Sequence, residues 1–166
     1  MLDAKELFRP LIGKHAWQVR RGYGTFLTME FGEPHLEIRE PRAVDSDASK
    51  SVRRGFERRR ISVVGDWHLW VQYCMWTVRT KNLEASSEES DLSKIDTCLE
   101  ELDGQALLVV EEDFAASVCT LHFDLGAIVT LSPSPEFLED DLWMLYCPDR
   151  NTFAYRASEG VVAEGE

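Results

Sequence analysis

The chain has 166 residues, 44% of them hydrophobic, with 8 Phe, 5 Trp and 4 Tyr. That is enough apolar surface to bury one core without disulfide or metal staples, and too little chain for two large domains. The formal net charge of −12 argues against a general nucleic-acid binder, and it is unevenly placed: residues 1–83 carry +5 and residues 84–166 carry −17.

The start, "MLDAKELFRPLIG", lacks a basic segment followed by an apolar run, and no uninterrupted apolar stretch is long enough for a bilayer. A cytoplasmic protein without membrane contact is expected. The cysteines at 74, 98, 119 and 147 are widely spaced, with no Cys-x-x-Cys, which suits buried free thiols better than disulfides.

In chain order, Asp3 to Phe8 predicts a short helix that stops before Pro10. His15 to Arg20 alternates as a strand, with Trp17 and Val19 on one face and Gln18 and Arg20 on the other. Thr25 to Phe31 is a second strand, closed by "FGEP", and His35 to Arg39 a third with Leu36 and Ile38 expected inward. "PRAVDSDASKSVRRGFERRR" (41–60) is an arginine-rich insertion. Ile61 to Val78 is rich in β-branched and aromatic residues and reads as two strands around a tight turn at Gly65-Asp66. Ser86 to Gly104 is the best helix, with Leu92, Ile95, Leu99 and Leu102 at helical spacing and acidic residues in its first turn. Five strands follow: Ala106–Glu111, Val118–Phe123, Ala127–Leu131, Leu142–Tyr146 and Phe153–Arg156.

The halves look alike. "LIGKHAWQV" (Leu11 to Val19) parallels "LDGQALLVV" (Leu102 to Val110), and "TFLTMEFG" parallels "SVCTLHFD". Leu-Trp-x-x-Tyr-Cys occurs at Leu69–Cys74 and again at Leu142–Cys147, which aligns Trp70 with Trp143 and gives the first half 19 extra residues. These matches predict a duplicated unit. The expected fold is α+β, mainly antiparallel sheet (a sandwich or incomplete barrel), built from two similar halves with a short N-terminal and one central helix. The halves, 1–83 with its insertion at 41–60 and 84–166 led by a helix, are expected to share one compact domain.

Chemistry is sparsely signalled. No catalytic residue, metal site or cofactor is assigned, because His15, His35, His68 and His122 are scattered and none has a ligand-spaced neighbour. Trp67, His68, Trp70, Gln72 and Tyr73 could line an aromatic pocket with polar tips, although core strands would carry the same pattern. Arg53, Arg54, Arg58, Arg59 and Arg60 are a candidate contact for phosphate or carboxylate. Glu139, Asp140 and Asp141 are a candidate docking face for a basic protein. Pairing of the basic insertion with an acidic half of a second copy would make a homodimer.

The segments "GTFLTMEFGEPHL", "GDWHLWVQYCMW" and "LDGQALLVV" resemble small bacterial single-domain proteins of unknown function, over most of the chain. In architecture and acidity the chain is also similar to immunity proteins that neutralise toxins by charge complementarity. The resemblance implies a non-enzymatic interaction domain with a charged face, and it carries no functional residue across. The alternative is a small-molecule binder or enzyme with its pocket near Trp67, His68 and Tyr73.

Overall fold

The structure, a computed structural model, describes residues 2–164. Among the described residues thirteen strands form: β1 (Ala16–Arg21), β2 (Leu27–Phe31), β3 (His35–Arg39), β4 (Arg60–Val64), β5 (Trp67–Val71), β6 (Cys74–Arg79), β7 (Glu84–Ser86), β8 (Leu107–Asp113), β9 (Val118–Phe123), β10 (Ile128–Pro133), β11 (Trp143–Tyr146), β12 (Thr152–Arg156) and β13 (Gly160–Glu164). Helix α1 is Ala4–Phe8, α2 is Lys50–Phe56 and α3 is Leu92–Leu102. All strand pairs are antiparallel, so the α+β reading holds.

The strands make one sheet in the order β1-β2-β5-β11-β12-β13, a second in the order β7-β6-β10-β9-β8, and a separate β3-β4 ribbon. One buried cluster draws Leu27, Met29, Leu69 and Trp143 from the first sheet and Trp76, Val78, Leu121 and Val129 from the second. The sheets therefore shield a single apolar interior, the main driving force for the fold.

The two sheets share a similar strand order. β1-β2-β5 in the first sheet corresponds to β8-β9-β10 in the second. The chain then crosses over: β6 and β7 extend the second sheet from β10, while β11 and β12 extend the first from β5. The helices are exchanged too, since α1 packs on β8 and α3 on β1. At the centre, Gly13 N–H donates to Leu107 O and Gly104 N–H to Ala16 O, both over 2.7 Å, around an isolated bridge between His15 and Ala106. Under the Gly13-to-Gly104 alignment His15 and Ala106 are each other's counterpart, so this bridge lies on a pseudo-twofold axis. Gly13 and Gly104 both adopt left-handed backbone (φ 83° and 89°), which a glycine accepts without the Cβ penalty.

The register corrects the sequence alignment. Met29 pairs with Leu69 and Leu121 with Val129, so Leu69 matches Val129. Trp76 pairs with Leu131 and Trp143 with Val71, which makes Trp76, and not Trp70, the counterpart of Trp143. Both are 1% exposed. The two Leu-Trp-x-x-Tyr-Cys stretches lie instead on strands paired with each other, with Met144 opposite Trp70. Trp70 and Trp76 lie on different strands: β5 ends at Val71, and the chain bends through Gln72-Tyr73 into the other sheet.

Three further expectations change. A bulge in β1, where Gln18 has φ 48°, breaks the alternation, so Ala16 and Val19 are buried while Trp17 donates its Nε1–H to Gly32 O. Gly65-Asp66 is not a hairpin turn, because β4 pairs with β3 and β5 with β2. Leu36 and Ile38 face out, 64% and 54% exposed, since the ribbon projects beyond the core. Helix α2, the strand β7 and the strand β13 had no clear periodic signal. The first turn of α3 holds no acid; Asp91 caps it, accepting from Ser93 N–H and Lys94 N–H.

Where the second half turns from β9 to β10 through Asp124, Leu125 and Gly126, the first half runs out through residues 32–66 before returning as β5. This excursion, hereafter the arm, comprises β3, α2 and β4, and is wider than the 41–60 insertion.

Candidate functional site

The first sheet presents two cross-strand rows on the face away from the core. Register places Glu30, His68, Tyr146 and Thr152 in one row, and Arg20, Thr28, Trp70 and Met144 in the other. The arm covers part of this face. On the β3-β4 ribbon, paired residues share a side: His35 with Val64, Glu37 with Ser62, and Arg39 with Arg60 form one side, and Leu36 with Val63 and Ile38 with Ile61 the other. Residues of the first, mostly polar side, with Leu36, Ile38 and Val63 of the second at the border, and the outward rows of the sheet line an open cleft of about 1270 Å³.

At the cleft floor, Glu30 Oε1 lies 2.7 Å from His68 Nδ1, and Glu30 Oε2 accepts from Gly65 N–H at 3.0 Å. Glu30 is only 5% exposed, whereas the His68 side chain keeps a third of its surface open. Both carboxylate oxygens are thus satisfied, as a buried acid requires. Gly65 also packs directly on the β2 backbone: a Cβ there would sit 2.4 Å from Phe31 O. The His68 ring stands 5.8 Å from that of Tyr146, whose hydroxyl burial pushes above its ordinary pKa, with Arg39 pulling it partly back and Asp141 adding to the rise.

The hinge of the arm is held by Asp66, which accepts from Glu33 N–H at 2.9 Å and stands 3.7 Å from His35 Nδ1. Around the cleft stand four arginines. Arg39 pairs with Glu37. Arg20, Arg60 and Arg150 also line the cleft, and among the described residues none of the three is ion-paired. Four acids, Glu30, Glu33, Glu37 and Asp66, line the same cleft; Glu30 is held by His68 and Gly65, Glu37 by Arg39 and Asp66 by the Glu33 amide, which leaves Arg20, Arg60 and Arg150 as its unengaged guanidiniums.

The residues singled out from sequence are dispersed. His68 and Trp70 line the cleft, as does Arg60. Trp67 packs against the core from its rim, with Lys14 Nζ 5.2 Å from its ring centroid. Tyr73 sits at the β5-β6 bend between Phe26 and Phe137, at 6.1 and 5.0 Å between ring centroids. Gln72 directs Nε2 to Met144 Sδ. Trp67, His68 and Tyr73 do not converge on one point, because neighbours on β5 face opposite sides and Tyr73 lies past its end. Arg53 and Arg54 are on α2, where Arg53 donates to Ser46 O at 2.6 Å; Arg59 clasps Glu40 at 2.8–3.0 Å; Arg58 borders a smaller hollow beside Phe56. Of the acidic trio, Asp141 is taken up by Arg156 at 2.7 Å, leaving Glu139 and Asp140 exposed.

Sequence reasoning missed Glu30, Tyr146, Arg20 and Arg150. Glu30 was visible as an acid in an otherwise apolar strand, "LTMEF"; the others become neighbours only through pairing of β1, β2, β5 and β11. Among the described residues, no group of three His, Cys, Asp or Glu is arranged to hold a metal. All four cysteines are free. No helix among the described residues is long and apolar enough to cross a membrane.

No protein-family model, no curated protein and no solved structure matches this chain.

Proposed function

We propose that the protein is a recognition domain that takes an anionic ligand into the cleft between the arm and the first sheet. The observation that carries this reading is the convergence of Arg20, Arg60 and Arg150, not ion-paired among the described residues, on one cleft in which the acids Glu30, Glu37 and Asp66 are already engaged by protein groups. Guanidinium groups bind carboxylate or phosphate through paired, charge-assisted hydrogen bonds. Trp70 and Tyr146 add apolar surface, and an apolar floor with a few oriented polar groups is what small-ligand sites use. His68, with Nδ1 on Glu30, has Nε2 without a protein partner among the described residues, so it can serve a ligand.

The test is thermal denaturation and calorimetric titration with inorganic phosphate, a dicarboxylate series and mononucleotides. At least one class should raise the melting temperature, and the shift should vanish in Arg60→Ala and Arg150→Ala, both exposed positions. If no anion shifts the transition, or if the shift survives both substitutions, the reading is wrong.

A second reading, an immunity-like domain that docks a basic protein on a charged face, is favoured by exposed Glu136, Glu139 and Asp140 on the loop before β11. Its test is salt-sensitive capture of a basic protein that is lost when these three are replaced by their amides.

A further inference from the structure

The outer side of the arm is hard to reconcile with an isolated chain. Leu36, Ile38, Ile61 and Val63 form two adjacent cross-strand pairs and are 64, 54, 59 and 45% exposed. They sit on a two-stranded ribbon whose outer edges have no partner among the described residues. Contiguous exposed aliphatics mark interaction surfaces, unpaired edges invite another chain, and a two-stranded ribbon has little stability of its own. The surroundings are basic: residues 39–60 hold eight Lys or Arg and four Asp or Glu.

A surface of the opposite kind lies elsewhere on the same molecule. In the loop "PEFLED", residues 135–140, Phe137 and Leu138 are 36% and 48% exposed, between Glu136 on one side and Glu139 and Asp140 on the other. Phe137 packs on Tyr73, beyond the Val71 end of β5, whereas the arm leaves from the Trp67 end. The two patches therefore flank opposite ends of that strand.

We infer that a second copy of this chain seats its 135–140 loop on the outer side of the arm. Each patch supplies apolar contact, and their charges are of opposite sign. Arm-on-arm contact is disfavoured, because it would bring Arg39, Arg42 and Arg58–Arg60 of two copies together. Two such contacts around a twofold close a dimer, with each arm on the other copy's loop. The inference does not rest on the anion-cleft reading, although Leu36, Ile38 and Val63 also border the cleft; self-association and anion binding are read out separately.

Sedimentation of the whole chain over a concentration series tests it, at salt of about 50 and about 500 mM, where the Debye length shrinks from about 14 to about 4 Å. Self-association is expected, weaker at high salt. An arm variant (Ile38→Ser with Ile61→Ser) and a loop variant (Phe137→Ser with Leu138→Ser) should each weaken it at least tenfold; circular dichroism confirms that both remain folded. An equimolar mixture of the two variants regains one intact contact and associates more tightly than either alone. A monomer at every concentration, association insensitive to either variant, or a mixture no tighter than its components overturns the inference.

Discussion

Glu30 and His68 meet across β2 and β5 with 2.7 Å between Oε1 and Nδ1, while the second carboxylate oxygen of Glu30 holds the amide of Gly65. One buried acid thus ties the cleft floor to the end of the arm. Replacing it with Ala leaves the Gly65 N–H unpaired in a buried setting, at a cost of about 1–3 kcal/mol. Glu30→Gln keeps an acceptor for that amide and should lose less. Urea unfolding of the two variants gives the ordering; equal losses would show that the Gly65 contact contributes nothing.

Gly65→Ala drives a Cβ into the carbonyl of Phe31, a backbone atom that cannot rotate away. The hinge must open, and the expected loss is about 3 kcal/mol, the upper range for overpacking. Any anion affinity of the cleft should fall with it, measured by titration under conditions where the variant is still folded.

The pseudo-twofold axis predicts matched penalties. Gly13 and Gly104 have nearly the same positive φ, and a Cβ at either would meet nothing within 4 Å. Gly13→Ala and Gly104→Ala should therefore each cost about 1–2 kcal/mol, from backbone strain alone. Trp76→Ala and Trp143→Ala should likewise cost about 3–5 kcal/mol each as buried counterparts, whereas half-buried Trp70→Ala should cost well under half of that. Denaturant midpoints decide whether Trp143 behaves like Trp76 or like Trp70.

Stability should be level at neutral pH and fall on the alkaline side. Burial pushes the Cys74 thiol up to about 12 and that of Cys147 up to about 11. In the unfolded chain thiols ionise near pH 8.5, so the folded state alone retains these protons above that value. The contribution is complete below the unfolded pKa and is lost as pH rises from there towards the folded values. On the acid side, the hydrogen bond from Arg21 lowers the pKa of Asp96, so that pair stabilises above the unfolded Asp value and is lost as pH falls through the folded one. The pair is exposed enough that its effect is small. Chemical denaturation from about pH 2.5 to about 10.5 checks both slopes, and slow reaction of the thiols with a disulfide reagent in the native state checks the first.

Strand positions were readable because β-branched and aromatic runs lie between Gly and Pro, and α3 because Leu92, Ile95, Leu99 and Leu102 keep its period. The likeness of the halves is readable at Gly13 and Gly104, whose turns have a strict backbone requirement. The pairing of Trp70 with Trp143 misled because the match was made on residue type, while correspondence is set by register, which only β5–β11 and β6–β10 pairing discloses. The arm was misread for a related reason. Leu36 and Ile38 alternate with Glu37 and Arg39 as a half-buried strand would, and nothing in the alternation tells which side meets the protein. The cleft was least legible, since Glu30, His68 and Tyr146 are brought together by three strands far apart in sequence.

The crossing of strands also orders events during synthesis. β1, β2 and β5 are made early, yet the neighbour that covers the open flank of β5 is β11, which emerges some 70 residues afterwards. Until then the growing chain has an uncovered sheet margin and a half-lined interior, so a ribosome stalled between β7 and β8 would display a sticky, protease-sensitive intermediate in place of a finished lobe.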